Sequence, residues 1–147
     1  MSQTAERLRR LGGVAGILFV VIAVVALFLP GNAPKAGEVI KITQYFTDKR
    51  GSILASTYLV GLAFVFFLIF VGALRTHLGA ADRSGLRVGA PLLPAGAAAA
   101  ALVLAGSAVI NGAAFRVSSD PGLNQALYNV GNDVFFMSGF GFAAFFL

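Results

Sequence analysis

The sequence predicts an all-α fold: a polytopic transmembrane helix bundle with four spans in this chain, forming part of a larger bundle. Three observations carry this expectation. Hydrophobic residues fill 58% of the 147 positions and charged residues only 12%, about half the charged share of a soluble domain. The mean hydropathy of +0.86 leaves too little polar surface to coat a water-soluble fold. The apolar residues also gather into four blocks, each near the ~20 residues that cross a hydrocarbon core. The segments outside the blocks hold every charged residue except Asp133.

The first span covers residues 11–30, a run of twenty uncharged positions behind Arg7, Arg9 and Arg10. A basic start before an apolar run is also the pattern of a signal peptide. The run exceeds the usual ~7–15-residue apolar region, and cleavage after Ala33 would leave Pro34 first, so the segment reads as uncleaved. Gly12 and Gly16 form a G-x-x-x-G pair, a pattern that favours packing within the chain over dimerisation.

Pro30, Gly31, Asn32 and Pro34 break the helix and open the longest loop, 31–52. Within it, residues 36–50 predict a surface loop or an amphipathic helix. Val39, Ile42, Tyr45 and Phe46 share a helical face, while Lys41, Thr47 and Asp48 lie off it. Such a helix either lies on the membrane surface or packs on the end of the bundle; the pattern leaves both open.

The second span, 53–74, is the cleanest, with Ser52 placed to cap its start and Arg75 and His77 closing it. The basic loop 75–91 follows, with Arg83 and Arg87, and Pro91 and Pro94 suit the first turn of the next helix. The third span, 92–115, opens on small residues, which let helices approach closely in lipid. Arg116, Ser118, Ser119, Asp120, Pro121 and Gly122 make a short turn. The fourth span, 125–147, stops at Leu147 without a polar flank, which reads as a fragment of a longer chain. The whole, 1–147, is a single membrane domain.

Basic residues number six on the N-terminal side (the N-terminal segment and the 75–91 loop) and five on the other. The first helix usually dominates orientation, and its three arginines place the N-terminus in the cytoplasm. Heavy Ala, Gly and Arg usage suggests a bacterial plasma membrane.

Several function classes drop out. With no cysteine and one histidine, thiolate chemistry, disulfides and a His- or Cys-built metal site are excluded. A net charge of +5 raises nucleic-acid binding, but the basic residues flank apolar blocks, where lipid headgroups attract them, and no basic stripe with interleaved aromatics exists. No nucleic-acid partner, cofactor or catalytic residue is expected. One intramembrane acid provides no acid–base pair, so an enzyme is the least favoured class.

One polar constellation remains. Gln125, Asn129, Asn132 and Asp133 fall on one flank of the fourth helix at spacings of three and four. A charge at bilayer depth raises a functional hypothesis with a named partner; here the partners would be Arg116 or Arg50. The strip reads as a clasp between helices, a polar pocket, or interfacial exposure.

Residues Glu38, Tyr45, Phe46, Arg50 and Gly51, followed by an aromatic-rich span ending in Gly72, Ala73, Leu74, Arg75 and Leu78, form a recognisable pattern. With the N-x-G-N-D-x-F-F stretch from Asn129 to Phe136, it resembles an uncharacterised family of bacterial multi-pass integral membrane proteins over roughly two thirds of the chain. The resemblance implies further spans beyond Leu147 and lends no activity. Two functions compete on these grounds. One is a structural or accessory membrane protein whose partners are the bilayer and other membrane subunits or further copies of itself. The other is a transport-related or small-ligand-binding protein that uses the strip around Asp133.

Overall fold

The computed structural model describes residues 3–35, 37–81 and 92–146, with side chains for 10–35, 37–78 and 92–143. Arg83, Arg87, Pro91 and Leu147, which entered the loop and span expectations, lie outside the described residues. The described elements are α1 (Gln3–Phe28), α2 (Val39–Asp48), α3 (Arg50–Ala81), α4 (Leu92–Phe115) and α5 (Pro121–Phe146).

Among the described residues, three segments are long and apolar enough to cross a membrane: Arg10–Phe28, Arg50–Leu78 and Leu92–Phe115. The third begins and ends where the sequence places it. The other two helices run past their apolar windows. In particular, α3 starts at Arg50 and continues through Arg75 and His77 to Ala81, so Ser52 sits inside its first turn and does not cap it. The segment expected as the fourth span is a helix of 26 residues, α5, but it is not among these three. Asn124, Gln125, Asn129, Asn132 and Asp133 in its first half dilute its apolarity.

The helix ends follow from local chemistry. Pro30 lacks an amide donor, and Gly31 takes φ 74°, a left-handed geometry that glycine adopts without strain. Only Lys49 separates α2 from α3; it carries φ −105° and ψ 11°, which redirects the chain. At the head of α5, the Asp120 carboxylate accepts a 2.8 Å hydrogen bond from the Gly122 amide. An aspartate cap followed by proline in the first turn is a favourable start for a helix.

The long helices stand in a row, α1 beside α3, α3 beside α4 and α4 beside α5. Each pair is antiparallel. A Cβ on Gly12 would lie 2.5 Å from the Ala73 Cβ, and one on Gly16 would lie 2.9 Å from the Phe70 ring. The G-x-x-x-G pair therefore seats α1 on α3 within the chain. Phe19 continues this contact, 5.0 Å from Phe67 and 5.9 Å from Phe64 between ring centroids. On the other side, α4 and α5 meet backbone to backbone: a Cβ on Gly106 would come within 2.6 Å of the Gly131 carbonyl oxygen.

The short helix α2 lies across one end of the row, against α3, α4 and α5. Of the two placements open in sequence, this is packing on the bundle end. Ile42 and Phe46 are 0% exposed and pack with Ile53, Ala113, Ala114 and Tyr128. The apolar stripe of α2 thus faces protein. At its start, the Glu38 carboxylate accepts hydrogen bonds from the Lys41 ammonium at 2.7 Å and the Lys35 amide at 3.2 Å. The Lys41 bond, then the Lys35 bond, holds this carboxyl below its ordinary value. The clasp is therefore complete above the usual carboxylate range and loosens as pH falls through it.

Candidate functional site

Among the described residues α1 packs only on α3, and a gap runs between α1 and the α4–α5 pair, with α3 as its floor. Beneath α2 the gap widens into a cavity of about 420 Å³. All four long helices, α2 and the loop after α1 contribute to its wall. Toward the opposite end lies a second, almost wholly apolar cavity of about 760 Å³, and Phe19 and Phe142 line both.

The chemistry of the upper cavity is uneven. Ala23, Val60, Phe64, Val103 and Phe135 supply apolar wall, while Tyr45, Ser56, Thr57, Ser107, Tyr128 and Asn132 supply polar points. Several of these are committed. The Ser56 hydroxyl donates to the Ala26 carbonyl at 2.7 Å, a bond between α3 and α1. The Thr57 hydroxyl donates back along its own helix to the Ile53 carbonyl at 3.1 Å. The Tyr128 hydroxyl donates to the Pro34 carbonyl at 2.9 Å, tying α5 to the loop after α1. The Asn132 amide donates to the Tyr128 carbonyl at 2.8 Å. Among the described residues, the hydroxyls of Tyr45 and Ser107 and the Asn132 amide oxygen make no hydrogen bond. Burial beside Tyr128 pushes the Tyr45 phenol up, so it stays a neutral donor.

Among the described residues, no charged side chain lines the cavity and no cluster of three metal-ligating residues exists. A charged guest would lose hydration without an ionic partner. An apolar cavity of this size with a few convergent polar groups is the usual form of a small-molecule site.

The strip expected from sequence is only partly gathered here. Asn132 lines the cavity. Gln125 and Asn129 are half-buried on the same flank, and Asp133 is exposed. The expected pairing of Asp133 with Arg50 or Arg116 is not made. The Arg50 guanidinium instead lies 5.1 Å over the Phe115 ring, and Arg116 sits exposed at the turn before α5. Asp133 is 12 residues into α5, or about 18 Å from the helix start at 1.5 Å per residue, beyond the reach of either arginine.

The residue outside the strip with the most structural weight is Asn124, which is 0% exposed. Its side-chain oxygen accepts from the Ser118 amide at 2.9 Å. Its amide donates to the Ser118 carbonyl at 2.9 Å and to the Thr43 hydroxyl at 3.2 Å. These bonds fix the α4–α5 turn and pin α2 over the cavity. Compared with family models, curated proteins and solved structures, the chain matches none.

Proposed function

We propose that the chain is a four-span bacterial plasma-membrane protein that binds a neutral lipophilic or amphipathic small molecule in the cavity beneath α2. The observation that carries this reading is the cavity itself: apolar along its length, uncharged, and furnished at its capped end with the unpaired groups of Tyr45, Ser107 and Asn132. Those groups suit a hydroxyl, ester or carbonyl headgroup, and the apolar section beyond Phe142 suits a hydrocarbon tail. The small-ligand reading of the sequence is thereby kept, with its site moved from Asp133 to Tyr45, Ser107, Tyr128 and Asn132.

A diazirine-bearing long-chain alcohol, photoactivated with the protein in lipid nanodiscs, tests this. Adducts are expected on α2 and α5 near Tyr45 and Tyr128, and Ser107→Phe, which fills the cavity, should remove them. Labelling spread evenly over the lipid-facing side of α1 and unchanged by Ser107→Phe would sink the proposal.

Support for α5 as the fourth span comes from its packing. It runs antiparallel along α4, from Tyr128 against Ala113 and Ala114 to Gly141 against Ala99, so it shares the depth of a helix that is apolar enough to span. The N-terminus is read as cytoplasmic, which puts α2 and the α4–α5 turn outside. The chain has no cysteine, so single-cysteine variants report cleanly. A cysteine at Asn32 should react with an impermeant maleimide in intact cells, and one at Thr76 should not; the reverse pattern inverts the topology.

A further inference from the structure

The outward face of α5 carries a feature that the cavity does not use. Gly131 meets Gly106 of α4. Asp133 is two residues further on, hence about 200° round the helix at about 100° per residue. Its carboxylate therefore points away from the bundle. Its neighbours on that face are Val130, Phe136, Met137 and Phe140, with Phe136 74% and Phe140 76% exposed. Because α5 runs antiparallel to α4, Asp133 lies about level with Leu104, the middle of the 24-residue α4. On the four-span reading this is mid-bilayer depth.

A carboxylate there, facing hydrocarbon, is strongly disfavoured. Among the described residues it has neither a hydrogen bond nor an ion pair, and Asn129, one turn away, is the only other polar side chain beside it on this face. A surface that is apolar except for Asn129 and one unpaired acid at its centre is complementary to an apolar helix with one base at its centre. These four spans do not supply that base from a second copy. All eleven basic residues precede or follow the apolar blocks, so in a symmetric pair none reaches the level of Asp133. Charge complementarity therefore selects a helix that carries such a base, which none of these four spans does.

We propose that the outward face of α5 docks a transmembrane helix of another membrane protein, one that is apolar except for a single Lys or Arg at mid-depth, paired with Asp133. The chain is then an accessory subunit as well as a ligand-binding one. This inference rests on α5 spanning the membrane and is independent of what fills the cavity.

The test uses the full chain in lipid vesicles with benzoylphenylalanine in place of Phe140. The probes are two synthetic leucine-rich spanning peptides, one with a central Lys and one with a central Leu. Photocrosslinking should capture the central-Lys peptide, and Asp133→Asn should lower that capture about tenfold while leaving the detergent melting temperature unchanged. Equal capture of both peptides, or crosslinks only between copies of this chain, would overturn the proposal. Asp133→Cys separates the two readings. If that thiol reacts with aqueous maleimide at the rate of a loop cysteine, α5 does not span and the docking falls with it. If it is protected and capture is not Lys-selective, the docking alone is wrong.

Discussion

Phe46→Ala should destabilise the protein by about 3–5 kcal/mol, the usual cost of removing a buried phenylalanine ring, and should release α2 from the bundle. Phe46 is 0% exposed. Its ring packs edge-on against Tyr128 at 6.0 Å between centroids and lies 6.1 Å from Tyr45. Together with Ile42 it is the apolar anchor of a helix only ten residues long, which is too short to persist without tertiary support. The expected result is therefore local before it is global. Hydrogen exchange of the α2 amides should rise sharply, the α4 amides should stay protected, and the melting temperature in detergent should fall. Since α2 roofs the cavity, labelling by the lipophilic probe near Tyr45 should fall as well. If α2 keeps its protection in Phe46→Ala, then the Asn124–Thr43 hydrogen bond holds it without the ring, and Phe46 is not its anchor.

What the sequence revealed and what it concealed divide along physical lines. The bounds of α4 were legible because its apolar block coincides with its hydrogen-bonded helix. Those of α1 and α3 were not, since hydropathy marks the part suited to lipid while the helix continues wherever the backbone bonds do, through Arg75 and His77 and beyond. The amphipathic pattern of α2 was legible too. What its stripe faces was not, because lipid and a bundle end are both apolar; the Asn124–Thr43 and Tyr128–Pro34 bonds make the difference, and they join residues far apart in sequence.

The polar strip of α5 shows a similar limit. Spacings of three and four put Gln125, Asn129, Asn132 and Asp133 on one flank, but they do not say which way that flank turns. The small residues do. Gly131, Ser138 and Gly141 are the positions where α4 comes closest or the side chain is buried, and reading them first would have turned Asp133 outward. Asn124 lay off the strip, so spacing alone could not rank it; its weight comes from three hydrogen bonds closed only in the folded turn.

The same small-residue contact yields the second large effect. Gly106→Val should cost about 3 kcal/mol, at the upper end for overpacking a tight contact. A Cβ at this position would stand 2.6 Å from the Gly131 carbonyl oxygen and 2.9 Å from the Phe135 amide nitrogen. Both obstacles are backbone atoms, so no rotamer change relieves the clash and α5 must move off α4. In lipid, where close packing rather than hydrophobicity holds helices together, that separation forfeits contact along the whole pair. It also shifts Asn132 and Phe135, which line the cavity, so the variant should lose probe labelling together with stability. Gly112 gives a control on the same helix, since a Cβ there meets nothing within 4 Å. Gly112→Val should fall within about 0.5 kcal/mol of the parent, for it makes the same change in helix propensity and hydrophobicity without the clash. Unfolding both variants in mixed micelles with increasing denaturing detergent separates the two contributions. Equal stabilities would mean that α4 and α5 do not meet at Gly106 and Gly131, and the outward direction assigned to Asp133, which depends on that contact, would have to be redrawn.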